Sequence, residues 1–195
     1  HVIAIRSTVL PGTRDEVEEL IAAASGKVAG EHLLRVYGAC YGIKTVALRY
    51  FNVFGPRQAD DSPYTGVIAI FVRELLQGRT PTIYGDGGQT RDFTFVDNVV
   101  AANLAALECD AEPGVVVNVG GAERVSLNDL YKVIAAELGG PPEPGRGPER
   151  AGDIRHSLAS IDRARELLGF EPSVQWEDGL RRTLDWYRDA ASASK

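Results

Sequence analysis

Residues 27–58 read KVAGEHLLRVYGACYGIKTVALRYFNVFGPRQ, and this stretch decides the fold class. Val28, Leu33, Leu34, Val36 and Tyr37 recur at helical spacing as far as Gly42. Gly42-Ile43-Lys44 turns the chain, and Thr45 to Phe51 follows as a strand with apolar residues on both faces. A doubly buried strand after a helix of this length is the pattern of a parallel sheet with right-handed crossovers. Upstream, Val2 to Arg6 is a short β-branched strand ending at the turn Leu10-Pro11-Gly12-Thr13. Val17, Leu20, Ile21 and Ala24 then mark a helix that Thr13 and Glu16 can cap reciprocally and that Gly26 is expected to interrupt.

Downstream, Val67 to Leu76 reads as an amphipathic helix closed at Gly78. Thr82 to Tyr84 and Asp92 to Val96 read as two short strands around the turn Gly85-Asp86-Gly87-Gly88, a hairpin, after which Asp97 is expected to cap a helix to about Leu107. Val115 to Val119 is another buried strand, and Ser126 with Asp129 forms a capping box before Leu130 to Leu138. Gly139 to Gly152, with four prolines, reads as irregular. Asp162 is expected to cap a helix stopped by Gly169, and Trp176 to Arg188 presents Leu180, Leu184 and Tyr187 on one face.

Composition narrows the function classes. The 195 residues are enough for one packed core. Lys and Arg number 21 against 27 Asp and Glu, a net charge of −6, so no general attraction for nucleic acid or anionic lipid is expected and any anion must be gripped locally. The longest purely apolar run, Val67 to Val72, is too short to span a membrane, and the N-terminus lacks the form of a signal peptide, so the chain reads as cytoplasmic. Cys40 and Cys109 are single and far apart, which disfavours a disulfide framework or zinc site, and both are expected to be small buried residues. His1, His32 and His156 share no ligand spacing, so no metal site is expected. The chain opens on His1 and contains no Met, as a piece of a longer protein would.

Four polar clusters could carry chemistry. Asn52 at the carboxyl end of the central strand, before Gly55-Pro56, places an amide where open α/β sheets bind ligands, or simply caps the loop. Tyr84 to Phe93 sets glycines, which admit close ligand approach, just before the planar fork of Arg91, although taken alone the stretch reads better as an ordinary hairpin with a solvated Arg. Arg150 to Ser157 again groups basic and acidic residues around a glycine, suited to a phosphate and a sugar hydroxyl or to surface pairing. Ser25-Gly26-Lys27 holds the Gly-Lys of a phosphate loop, but Val28 and Leu20 break that motif.

Together these clusters resemble, over about residues 27–188, the C-terminal part of the extended short-chain dehydrogenase/reductases, the NAD-dependent nucleotide-sugar epimerases and dehydratases, and most of all the UDP-glucose 4-epimerase group. The matching stretches are KVAGEHLLRVYG, TVALRYFNVFGPRQ, TIYGDGGQTRDFTFVDNVV, VVNVGG and RAGDIRHSLASIDRARELLGF, in that order. The resemblance implies an α/β fold: the C-terminal part of a Rossmann-like parallel sheet with a small mixed α/β substrate-binding lobe. It implies UDP-sugar epimerisation at C4 with NAD as cofactor; the alternatives are 4,6-dehydration or decarboxylation, or a catalytically inactive nucleotide-sugar binding fragment. By position, it makes Asn52 and Arg91 pyrophosphate contacts, Arg150 a second phosphate contact and Asp153 a ribose hydroxyl acceptor. Tyr84 would lie by the uracil, Asn118 near the same nucleotide, and Tyr50 and Phe51 by the nicotinamide edge. Lys27 falls on the family's catalytic lysine, and helix 27–41 on the face through which members pair as homodimers.

Two features depart from that pattern. The Tyr expected four residues before the lysine is Ala23, and no Gly-x-x-Gly-x-x-Gly occurs anywhere in the chain. Residues 1–30, with HVIAIRSTVLPGT and ASGKVAG, resemble instead a segment of UDP-glucose or GDP-mannose 6-dehydrogenases, in which Thr8 would lie near a nicotinamide. The expectation is a chimera of a strand-helix segment 1–30 and an epimerase-like portion 27–195.

Overall fold

The computed structural model describes residues 2–6, 14–59 and 65–193. In chain order it contains β1 (Val2–Arg6), α1 (Arg14–Tyr41), β2 (Val46–Tyr50), β3 (Val53–Phe54), α2 (Val67–Leu76), β4 (Thr82–Tyr84), β5 (Thr90–Arg91), β6 (Thr94–Phe95), α3 (Val96–Glu108), β7 (Val115–Val119), β8 (Val125–Ser126), α4 (Leu127–Leu138), β9 (Gly145–Gly147), α5 (Asp162–Leu168) and α6 (Trp176–Ala193).

The main sheet is parallel with order β1-β2-β7, and Val46, Leu48 and Tyr50 lie opposite Val115, Val117 and Val119. Strand alternation splits these residues between two faces. Leu34 of α1 packs on Ala47 and Val116 on one side. On that side Arg49 also donates to both carboxylate oxygens of Glu31 at 2.7 Å, a bidentate pair that fixes α1 against β2. Ala102 and Ala106 of α3 and Ala164 of α5 cover Val46, Leu48, Val115 and Val117 on the other side. These small side chains let both helices sit close to the strands.

A second core lies beside the sheet, where α2, α4 and α6 enclose Phe54, Phe93 and Phe95. The Phe71 and Tyr131 rings meet edge to face at 5.8 Å, and Leu130, Ile134, Leu180 and Leu184 are fully buried. Gly179 is required here, because a β-carbon on it would come within 2.6 Å of the Phe95 ring. Three two-stranded pairs, β3 with β6, β4 with β9 and β5 with β8, fasten this lobe to itself.

Several local readings change. Helix α1 runs through Gly26 without a break, so the boundary at 27–30 falls inside one helix. Its capping by Thr13 lies outside the described residues. The strands flanking Gly85 to Gly88 form no hairpin: β4 pairs in parallel with β9, inside the stretch read as irregular, and β5 pairs antiparallel with β8. Asp97 and Asp162 sit in the first turns of α3 and α5 behind Phe95 and Ile161, neither helix having a side-chain cap. There they favour the positive helix end without capping it. Ser126 does cap α4, accepting from the Asp129 amide at 3.0 Å. Cys40 is exposed on α1 and Cys109 half-buried, because Cys40 falls on the helix face away from the sheet.

Candidate functional site

A cavity of about 440 Å³ opens between the β2–β3 junction, the start of α2, strand β4 and the segment around Arg150. Tyr50, Asn52, Tyr84, Arg91, Arg150 and Asp153 all line it, together with Gln58, Gln89 and Phe93. Residues drawn from three separate stretches of sequence, 50–58, 84–93 and 150–153, therefore share one concavity.

Each is held by the local fold. Asn52 occupies the turn between β2 and β3 with φ +29°, a conformation that asparagine tolerates better than most residues, and its Nδ2 donates to the Asp92 carbonyl at 2.8 Å. Arg91 leaves β5 beside it. Its Nη1 donates to the carbonyls of Ile154 (2.6 Å) and Thr90 (2.9 Å), and its Nη2 to Asp153 at 2.5 Å. A guanidinium carries five N–H donors, so these bonds leave two for a ligand. Arg150 lies over the Tyr84 ring, 3.9 Å from its centroid. Gly147 brings β9 so close to Tyr84 that a β-carbon would meet the ring at 2.8 Å. The loop between β4 and β5 is fixed as well. Asp86 accepts both Nη groups of Arg155, at 2.6 and 2.7 Å, and this guanidinium together with the Gly88 amide holds its carboxyl at about 2.

Tyr50 shares its hydroxyl with Asn103 of α3, and burial pushes its phenol above the usual range. Phe51 packs instead against the sheet core, and Asn118 donates to the Ser160 carbonyl; neither lines the cavity. Thr8 and the side chain of Lys27 lie outside the described residues.

Three residues that no motif reading had assigned belong to the arrangement. Asp92 is fully buried and accepts from the backbone amides of Gly121 (2.6 Å), Ala159 (3.0 Å) and Ala122, while its carbonyl holds Asn52. Burial pushes its carboxyl up against the pull of those amides. The pair Gly120-Gly121 is explained by this contact, since a β-carbon on Gly121 would fall 2.5 Å from the Phe93 carbonyl and one on Gly120 2.6 Å from the Asp92 carboxylate. Gln58 and Gln89 each line the cavity with a buried side-chain carbonyl that receives no hydrogen bond among the described residues. The sequence signal for them is slight: Gln58 directly follows Arg57 after the Gly55-Pro56 turn, and Gln89 lies between Gly88 and Arg91. Chemically, two guanidiniums, an asparagine amide and a carboxylate around a partly apolar hollow suit a ligand with an anionic diphosphate, a ring and hydroxyl groups.

Residues 23–120 match the family described as NAD dependent epimerase/dehydratase. The chain belongs to this family. This family member is 43% identical over 166 residues to the UDP-glucose 4-epimerase of Mycolicibacterium smegmatis, a match covering 85% of the chain and 52% of that protein. Among solved structures, it is similar to a UDP-N-acetylglucosamine 4-epimerase from Methanobrevibacter ruminantium in complex with UDP-N-acetylmuramic acid. That match has TM-score 0.80 and 39% identity, and covers 86% of the chain and 54% of the other. The UDP-glucose 4-epimerase of Thermotoga maritima with UDP-glucose matches at TM-score 0.81 and 34% identity over 97% of the chain and 63% of its own. The epimerase/dehydratase chain thus spans about half the length of the curated relatives it matches. Its mixed α/β architecture with a parallel sheet agrees with these Rossmann-fold neighbours. No helix among its described residues is long and apolar enough to cross a membrane.

Proposed function

We propose that this chain supplies the nucleotide-sugar-binding part of an enzyme that epimerises UDP-sugars at C4. The observation that carries the reading is the convergence of Asn52, Tyr84, Arg91, Arg150 and Asp153 on one cavity from sites far apart in sequence. Arg91 turns its two unspent donors to the diphosphate, Arg150 leaves the Tyr84 ring to join it, and Asn52 donates its remaining amide hydrogen. Asp153, already oriented by Arg91, accepts a ribose hydroxyl. In a protein of net charge −6 this local cluster overcomes the general repulsion of the ligand.

Hydride chemistry of this kind draws on a nicotinamide cofactor, and the described residues do not by themselves form a cradle for one. The sequence has no Gly-x-x-Gly-x-x-Gly turn, Tyr50 lines the cavity and Phe51 does not, and Thr8 lies outside the described residues. The part assigned to this chain is therefore binding and orientation of the substrate.

Calorimetric titration with UDP, UDP-glucose and NAD tests the reading. UDP and UDP-glucose should bind, and Arg91→Ala should weaken both by about a hundredfold, the cost of a charge-assisted pair of hydrogen bonds. Binding of neither ligand to the unaltered chain would overturn it.

The same reading puts a second copy of the chain against α1. Val28, Leu33, Val36, Tyr37 and Tyr41 on that helix are about half or more exposed, a contiguous apolar surface of the kind that homodimers bury. Sedimentation velocity should show a dimer that Tyr37→Glu dissociates.

A further inference from the structure

The cavity contains an acceptor that the proposed ligand contacts leave unused. Gln89 is 6% exposed, and its backbone is fixed by the Leu127 amide, which donates to the Gln89 carbonyl at 3.1 Å. Its side-chain Nε2 donates to the carbonyl of Tyr84 at 2.9 Å. That bond sets the orientation of the amide, because only the NH₂ end can serve a carbonyl partner. The Oε1 end is consequently left buried without a donor among the described residues, in a side chain that lines the cavity between Tyr84 and Arg91. Buried side-chain carbonyls in folded proteins nearly always receive a hydrogen bond, so an orphan beside a hollow marks a place for a ligand's donor. The surrounding charges indicate which part of a ligand carries it. Arg91 and Arg150 take the anionic groups, whereas Gln89 is neutral and is bonded to the residue whose ring offers a stacking face.

We infer that Gln89 Oε1 accepts a hydrogen bond from the nucleoside portion of the ligand, either the imide N–H of the base or a ribose hydroxyl. This assignment rests on the nucleotide-sugar reading above and deepens it. It makes Gln89 a specificity residue. Its Nε2 fixes the Tyr84 carbonyl while its Oε1 tests the ligand for a donor, so the same amide that shapes the pocket reads what enters it. Arg150 stands over Tyr84 in the structure, and entry of the nucleoside displaces it and opens the way to Oε1.

The test is calorimetric, on the full chain, with UDP, N3-methyl-UDP, 2′-deoxy-UDP and 3′-deoxy-UDP, for the unaltered protein and for Gln89→Met. One of the three analogues should bind the unaltered chain about tenfold more weakly than UDP, and that difference should vanish in Gln89→Met. N3-methyl-UDP as the weakened ligand assigns the base, and a deoxy analogue assigns the ribose. Three analogues that bind like UDP would overturn the assignment, and so would a tenfold difference that persists in Gln89→Met. Because the analogue series on the unaltered chain needs no variant, the inference remains open to refutation even where Gln89→Met fails to fold. A chain that does not bind UDP at all would overturn the nucleotide-sugar reading together with this one, whereas normal UDP binding with no analogue effect removes only Gln89.

Discussion

Replacing Asp92 by Asn exchanges one carboxylate oxygen for an NH₂ group and changes little else in shape. In the structure the two oxygens accept from Gly121 at 2.6 Å and Ala159 at 3.0 Å, with Ala122 as a third donor, in a residue with no exposed surface. The asparagine keeps one acceptor and sets an N–H against a backbone N–H at the other position. Hydrogen bonds to a charged group contribute about 1.5–3 kcal/mol each, and removal of the buried charge offsets part of that loss, leaving a net cost of about 1–2 kcal/mol at neutral pH. For a domain of this size that lowers Tm by about 2–8 °C. The pH dependence is the sharper readout. Burial raises the folded-state pKa of Asp92 above the ordinary 3.8, so its protonation stabilises the fold. That contribution is complete below the unfolded value and is lost as pH rises through the folded value. The variant has nothing to protonate at this position, so the stability gap between the two proteins should widen as pH falls below neutrality. Urea unfolding followed by circular dichroism at a series of pH values measures it. A gap that narrows on acidification, or an unchanged Tm, would refute this account of the junction.

Two other outcomes follow from close contacts and charge. Gly121→Ala should cost about 1–3 kcal/mol, because its β-carbon meets the Phe93 carbonyl at 2.5 Å and backbone on both sides must move; thermal unfolding checks it, with Gly26→Ala, which meets nothing within 4 Å, as the neutral or stabilising control. Arg155→Ala should return the Asp86 carboxyl from about 2 towards its ordinary 3.8, visible as a shifted carboxyl titration by NMR, with the stability due to this pair lost in the parent as pH falls from about 4 towards 2.

Where the signal was local, the sequence was readable. Helix α2 and strand β7 start and stop on the residues that periodicity indicates, and Gly139 and Gly169 end their helices in the left-handed conformation, as a residue without a β-carbon can. The misreadings came from partners far along the chain. A hairpin was the economical reading of Gly85 to Gly88, but strands of two or three residues have no register of their own and pair wherever tertiary packing brings an edge. Gly26 differs in being a local matter: a glycine suggests a break, but one in a long helix costs only about 1 kcal/mol and α1 continues through it. Arg91, Arg150 and Asp153 stand out in the sequence because each is an ionisable group beside a glycine-rich turn, and they do line one cavity. Asp92, Gln58 and Gln89 do not stand out, since their roles depend on which backbone groups the fold leaves beside them. Phe51 follows the last residue of β2, and although it packs against the same sheet core as Tyr50, only Tyr50 also reaches the cavity.

The three small strand pairs bear on how the protein comes to be folded. β3 reaches β6, β5 reaches β8 and β4 reaches β9 only across intervening helices, and Thr90 is bridged to His156 further on still. Closing such long loops has to precede the contacts that reward it, which slows folding. During synthesis the parallel sheet can assemble once β7 has emerged, whereas the cavity has to await the segment carrying Arg150 and Asp153. A chain stalled with residue 140 just outside the ribosome would therefore have its sheet formed and its binding pocket unmade, and protease protection of the β4–β5 loop should appear only after that later segment is released.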